Sequence, residues 1–272
     1  MNLNTITDLK RPKSADDIRH WHDGYAWLAG GTWLFSEPQI HTDTLIDLEA
    51  LQWPALTCTD TGIEVAATCR IAELYAFEPP SRWKAGPLIG ECCRSFLSSF
   101  KIWNEATVGG NICMSLPAGP MISLTVALEG VYTLWPRSGE PREVSAAEFV
   151  TGNHANVLGP GELLRSIHLS VEALAKDFAF RRSSLTHLGR SAVLLIGTRA
   201  KADGDLILTI TAATLRPVQL RFNADPSAAE MRDAIDDAVP DDLYLDDVHG
   251  SPAHRRHLTY HFSEEIRREL AS

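Results

Sequence analysis

The sequence predicts an α+β protein assembled from several small sheets, not one doubly wound sheet, and three observations carry that expectation. Short strand-like runs alternate irregularly with short helical segments along all 272 residues. The opening resembles a βαβ unit with glycines, yet the Gly-x-Gly-x-x-Gly spacing of a dinucleotide fold is absent. Late in the chain, Leu206 to Thr211 and Leu215 to Phe222 read as neighbouring antiparallel strands. The length suits two or three subdomains, and compositional shifts divide the chain at 1–51, 52–172 and 173–272.

Taken in order, Ser14 with Asp17 three positions on is a capping arrangement that predicts a short helix, with Ile18, Trp21 and Trp27 available for packing. Ala26 to Ala29 reads as a strand that Gly30 and Gly31 end in a tight turn, and Thr44 to Leu48 as another strand. Thr61 to Thr68 predicts a strand, Arg70 to Leu74 the start of a short helix, and Pro79-Pro80 a break. Leu88, Ile89, Cys92, Cys93, Phe96, Leu97 and Phe100 follow the helical period, which predicts one helix over 88–102 leading directly to a loop at Gly109-Gly110. Met121 to Leu128 is almost continuously apolar and reads as a buried helix beginning near Pro120. Val131 to Trp135 is a strand, Gly139 turns the chain towards Arg142-Glu143-Val144, and Ala146 to Phe149 is a helical turn. Gly159 to Glu162 makes a turn before a strand at Leu163 to Leu169. In the last unit, which starts with Phe178 to Arg182, Ser191 to Ile196 is a core element and Pro217 puts its strand at an edge or bulge. Ser227 and Glu230 form a capping box, and the chain closes in an amphipathic helix from Pro252 to Leu270.

A net charge of −10 argues against a nucleic-acid scaffold. It leaves room for a local anion site, because backbone N–H groups bind anions without altering net charge. The five cysteines are irregularly spaced and lack a Cys-x2-Cys pair, so neither an iron–sulfur cluster nor a structural zinc is expected in this chain. Cys92 and Cys93 read as small buried side chains ahead of a redox pair. His168, His187, His249, His254, His257 and His261 form no constellation; the last three share a helix face and read as solvated or packed side chains. The N-terminus lacks a basic region followed by an apolar core, and no apolar run reaches the roughly 20 residues of a membrane helix, so a cytoplasmic location is expected.

Two small-residue segments carry the functional expectation. Ala29-Gly30-Gly31-Thr32 and Trp103 to Asn111 both allow sharply turned backbone whose amides, with the side chains of Thr32, Thr107 and Asn111, can face an anion. Together they suggest two walls of one diphosphate cradle. By itself the first segment also reads as an ordinary turn in which Thr32 caps the next helical piece.

The whole chain resembles the FAD-binding, medium-sized subunit of the molybdenum hydroxylases, the family of xanthine dehydrogenase, aldehyde oxidase and carbon monoxide dehydrogenase. The segments that carry the resemblance are Leu28 to Thr32, Asn104 to Asn111, Pro160 to Ile167 and Ser251 to Arg256. It implies an N-terminal FAD-binding subdomain at 1–51, a middle FAD-binding subdomain at 52–172 and a C-terminal α+β subdomain with a small antiparallel sheet at 173–272. FAD would lie between the first two, its pyrophosphate touching Ala29, Gly30, Gly31 and Thr32 on one side and Thr107, Gly109, Gly110 and Asn111 on the other. The resemblance also places Leu97 and Leu164 against the isoalloxazine ring and Arg182 near the flavin. Read alone, the leucines are ordinary core residues, and Arg182 a surface-solvated or salt-bridged side chain. As an oxidoreductase, the assembly would oxidise substrate at a molybdenum cofactor in a large subunit. A small subunit would carry two [2Fe-2S] clusters, and this chain would pass electrons through FAD to an external acceptor within a heterotrimer or a dimer of heterotrimers. No catalytic acid or base is expected here. Two positions depart from the family pattern: Trp103 stands where Arg is usual, and replaces a charged contact by aromatic packing against a neighbouring element or partner, or is local core. Pro120 stands where an acidic residue is usual and supplies no carboxylate, which bears on NAD as acceptor. A stand-alone flavin oxidoreductase and a non-catalytic scaffold of the same fold are the alternative readings.

Overall fold

The computed structural model describes residues 3–18, 20–96, 98–186, 189–200 and 204–271, so Leu97 and His187 lie outside the described residues. Strands β1 (Asp8–Lys10), β2 (Tyr25–Leu28) and β3 (Thr44–Asp47) form a three-stranded sheet in the order β1-β3-β2, with both pairs parallel. Parallel neighbours need a crossover, and the one from β2 to β3 contains the first glycine segment. The helix expected after Ser14 is only a 3-10 turn, Ala15–Asp17, where the Asp17 carboxylate accepts from the Lys13 and Ser14 amides.

The second sheet is antiparallel and five-stranded, in the order β4-β5-β10-β6-β7. Its strands are β4 (Leu56–Thr59), β5 (Gly62–Ala66), β6 (Val131–Trp135), β7 (Arg142–Ser145) and, beyond the small hairpin β8 (Val150–Gly152) and β9 (Ala155–Asn156), β10 (Leu163–Ser170). Helices α1 (Ile71–Ala76), α2 (Pro87–Ser95), α3 (Phe100–Trp103), α4 (Val108–Met114), α5 (Pro120–Ala127), α6 (Ala146–Phe149) and α7 (Val171–Leu174) accompany it. The single helix expected over 88–102 is broken. Phe96 turns extended after α2, and Trp103 donates its indole Nε1–H to the Phe96 carbonyl at 3.0 Å, fixing the break. Trp103 also meets Tyr75 edge-on, so it packs locally. The Gly109-Gly110 pair, expected in a loop, lies instead in the first turn of α4.

All eight residues of α5 are buried, because the helix lies between the second sheet and a third. Thr125 Oγ1 meets the Tyr132 hydroxyl of β6 at 2.6 Å. Third-sheet strands β11 (Asp177–Ser184), β12 (Ser191–Arg199), β13 (Leu206–Thr211) and β14 (Val218–Phe222) pair antiparallel in chain order, which leaves β14 at the edge as Pro217 led one to expect. Ser123 Oγ meets Thr211 Oγ1 of β13 at 2.6 Å, tying α5 to this sheet as well. The alternation along β12 divides two cores: Leu194 and Ile196 join the one around α5, while Val193 and Leu195 join one under α8 (Ala228–Ala238) and α9 (Pro252–Glu269). The Ser227–Glu230 capping box forms as expected. Fully buried Arg255 pins α9 to the sheet. It donates to the carbonyls of Ala192, Ala212 and Gly250 and pairs with Asp247. Among the described residues no helix is long and apolar enough to cross a membrane.

Candidate functional site

A cavity of about 660 Å³ opens where the first sheet meets α4, and both glycine segments wall it: Ala29, Gly30, Gly31 and Thr32 on one side, Thr107, Gly110 and Asn111 on the other. That volume lies within the usual range for small-molecule sites. The two segments touch directly. A Cβ on Gly30 would stand 1.6 Å from the Glu105 carbonyl oxygen, so only glycine permits this approach. Gly31 has φ +68°, and the Phe35 amide closes back on its carbonyl at 2.8 Å. The amides of Thr32, Trp33 and Leu34, inside that turn, donate to no other described residue. Unpaired amides of this kind form a ready-made anion cradle.

The second segment works differently from the sequence-based expectation. Its first-turn amides are already used: Val108 donates to the Cys69 carbonyl at 2.8 Å, Gly109 to the Ala67 carbonyl at 2.9 Å, Gly110 to Thr107 Oγ1 at 3.1 Å and Asn111 to the Thr107 carbonyl at 3.0 Å. Gly109 does not line the cavity. A Cβ there would be 2.5 Å from the Ala67 Cβ, so this glycine serves close packing. Gly110 faces the cavity, and a Cβ on it would meet only Thr107 Oγ1, at 2.9 Å. What α4 offers a ligand is therefore the Thr107 hydroxyl proton and the Asn111 side-chain NH₂, whose companion Oδ1 accepts from Met121 N at 3.1 Å.

Phe96, Ile102 and Leu116 make the wall largely apolar, and Pro120 joins it as the first residue of α5. Leu164 does not reach it: the side chain is core, 1% exposed, opposite Leu134 in the β10–β6 register. Nor does Arg182, which stands one layer behind, donating from Nε to Ser191 Oγ at 2.8 Å and from Nη2 to the Gly189 carbonyl. Burial pulls its pKa down from the ordinary arginine value. Arg190 and Ser191 line the cavity in its place; no sequence pattern singled them out, since they follow an unremarkable Gly189 and merely precede the apolar run of β12. Cys113 also lines it, its thiol pushed up to about 12 by burial.

The Pro160 to Ile167 motif is structural. Trp27 of β2 donates its indole N–H to the Glu162 carbonyl at 3.2 Å, joining the first sheet to the second. The Glu162 carboxylate is gripped by Arg142 at 2.7 and 2.8 Å and by the Gly159 amide at 3.0 Å, and Arg165 lies over the Trp53 ring at 4.2 Å. His261 lies 3.3 Å from Glu265, and among the described residues no group of three or more His, Cys, Asp or Glu side chains could hold a metal ion.

Residues 5–170 match the family described as FAD binding domain in molybdopterin dehydrogenase. Among solved structures, quinoline 2-oxidoreductase from Pseudomonas putida 86 aligns with a TM-score of 0.80 at 17% identity, over 99% of this chain and 98% of that chain. Carbon monoxide dehydrogenase from Hydrogenophaga pseudoflava gives 0.81 at 16% identity, over 98% and 99%. At such identities the likeness is one of fold. Xanthine dehydrogenase 1 of Arabidopsis thaliana is 28% identical over 121 residues, which is 42% of this chain and 9% of that protein. Caffeine dehydrogenase subunit beta of Pseudomonas sp. strain CBB1 is 26% identical over 197 residues, 67% of this chain and 64% of that one, so the chain spans less than two thirds of either relative. Because the family match takes in more than half of the 272 residues, the chain belongs to the FAD-binding family of the molybdopterin dehydrogenases, the xanthine and carbon monoxide dehydrogenase type.

Proposed function

We propose that this chain binds FAD in the shared cavity and serves as the electron-transfer subunit of a molybdenum hydroxylase, beside a large molybdenum-cofactor subunit and a small [2Fe-2S] subunit. The observation that carries the reading is the junction of the two glycine segments in one cavity, where the amides of Thr32, Trp33 and Leu34 on its wall donate to no described residue. FAD fits the residues present. The free amides and the Thr32 hydroxyl would hold its diphosphate, Thr107 and Asn111 would donate from the opposite wall, and Gly110 would leave the space between them clear. Arg182 would act through Ser191, and Leu164 by supporting the wall from the core.

When bound, FAD supplies the capacity to take up electrons singly and to release a pair to an external acceptor. The chain's own part is to hold and orient it. Among the described residues no His, Tyr, Asp or Glu lines the cavity, so the wall lacks the acid or base that a self-sufficient flavin oxidoreductase needs beside its substrate. Pro120 gives neither a carboxylate nor an N–H to an acceptor entering there.

Native pull-down from the source cell, followed by a flavin spectrum and metal stoichiometry, tests the reading. The expected result is flavin bound to this chain, with molybdenum and iron recovered only when further chains accompany it. A gently purified chain that carries no flavin and takes none up on incubation with FAD contradicts it.

A further inference from the structure

Oxidised FAD carries its formal negative charge on the diphosphate, and the amides of Thr32, Trp33 and Leu34, residues that line the cavity, bring only partial positive charges to meet it. The chain as a whole has a net charge of −10. Within that field, the cavity wall holds one formally charged side chain among the described residues, Arg190. It is half-buried and forms no hydrogen bond or ion pair with any described residue.

The residues on either side of it are held in place. Arg182 donates to the Gly189 carbonyl and to Ser191 Oγ, and Arg255 donates to the Ala192 carbonyl. Arg255 shares its charge with Asp247, whereas Arg182 has no carboxylate partner among the described residues. Arg190 also lies close enough to Arg255 for their like charges to repel. The corner at 189–192 thus gathers cations in excess of carboxylates and turns the free one to the cavity. A guanidinium placed so, against a wall without acidic side chains, is complementary to phosphate oxygens.

We infer that Arg190 supplies the counter-charge for the FAD diphosphate: it donates to phosphate oxygen while the Thr32, Trp33 and Leu34 amides set the orientation. This rests on the FAD reading above and assigns the electrostatic part of that binding to a side chain outside both glycine segments. Arg182 is then a positioning residue that holds the corner.

The test is a fluorescence titration of the flavin-stripped full chain with FAD and, separately, with riboflavin, which has the ring system but no phosphate. Wild type, Arg190→Gln and Arg190→Lys are compared over a salt series. Loss of one charge-assisted contact is expected to weaken FAD binding about 10- to 100-fold in Arg190→Gln, with riboflavin affinity unchanged and a shallower salt dependence. Arg190→Lys is expected to restore part of the FAD affinity. Unchanged FAD affinity in Arg190→Gln, or equal weakening of FAD and riboflavin, overturns the assignment while leaving the FAD reading intact. A wild-type chain that binds no FAD overturns both.

Discussion

Two adjacent glycines of α4 have separate physical reasons to be glycine, and substitution separates them. Gly109→Ala forces a methyl to within 2.5 Å of the Ala67 Cβ, an overpacking expected to cost about 1–3 kcal/mol of stability while the folded fraction keeps its flavin. Gly110→Val projects into the cavity beside Thr107 Oγ1, so the unfolding free energy should change by no more than about 1 kcal/mol while FAD affinity falls at least about tenfold. Denaturant unfolding and flavin titration of both variants check this; Gly110→Val with undiminished affinity would show that the space is not the ligand's. The cysteines give a second residue-level test. Burial raises the thiols of Cys69 and Cys92, and pushes Cys93 and Cys113 up to about 12, whereas Cys58 is exposed. Since the thiolate is the reactive form, native alkylation near neutral pH followed by mass spectrometry should label Cys58 first, half-buried Cys113 on the cavity wall more slowly, and spare buried Cys69, Cys92 and Cys93. Rapid labelling of Cys69, Cys92 or Cys93 would contradict their burial.

Between elements, single side chains make the decisive links. The Arg142 hydrogen bonds, followed by the Gly159 amide, hold Glu162 below the usual carboxylate range. A pKa lowered by folding stabilises the fold wherever the carboxylate is charged. The contribution is complete above the ordinary glutamate range and is lost as pH falls through the folded value. Because the Glu162 carbonyl also takes the Trp27 indole N–H, acidification should loosen the first sheet from the second. Glu162→Gln should show a flatter acid profile in tryptophan fluorescence, and a profile identical to wild type would remove Glu162 from that link. At α9, Arg255→Ala removes the ion-pair partner of Asp247 and one donor from each of three carbonyls, with an expected loss of about 3–5 kcal/mol in chemical denaturation; a loss under about 1 kcal/mol would deny it the pinning role. Strands with alternating or continuous apolar residues, such as β6 and β13, were legible in the sequence, as were the capping box of α8 and the buried helix α5. β4 was not, because its residues are mostly exposed and show no alternation. The start of α4 was hidden because its glycines signal a turn, while the carbonyls of Ala67 and Cys69 that fix its amides are distant in sequence. The cradle could be read as two glycine segments, but Arg190 and the spent amides of α4 depend on tertiary neighbours that no local pattern encodes.

For the molecule as a whole, α5 is the central strut: it bonds to β6 on one side and β13 on the other, and its N-terminal Pro120 forms part of the cavity wall. The third sheet thereby delivers Arg190 and Ser191 to the cavity that the first sheet and α4 enclose. Everything proposed for this chain depends on that enclosure, and its tightest point is Gly30 against the Glu105 carbonyl. The most direct measurement is therefore an FAD titration of the flavin-stripped wild-type chain and of Gly30→Ala, whose methyl would stand 1.6 Å from that oxygen and must push the two walls apart. Saturable binding in the wild type that weakens at least about tenfold in Gly30→Ala, with secondary structure retained by circular dichroism, is the expected result. Equal FAD affinity in the two chains would contradict it.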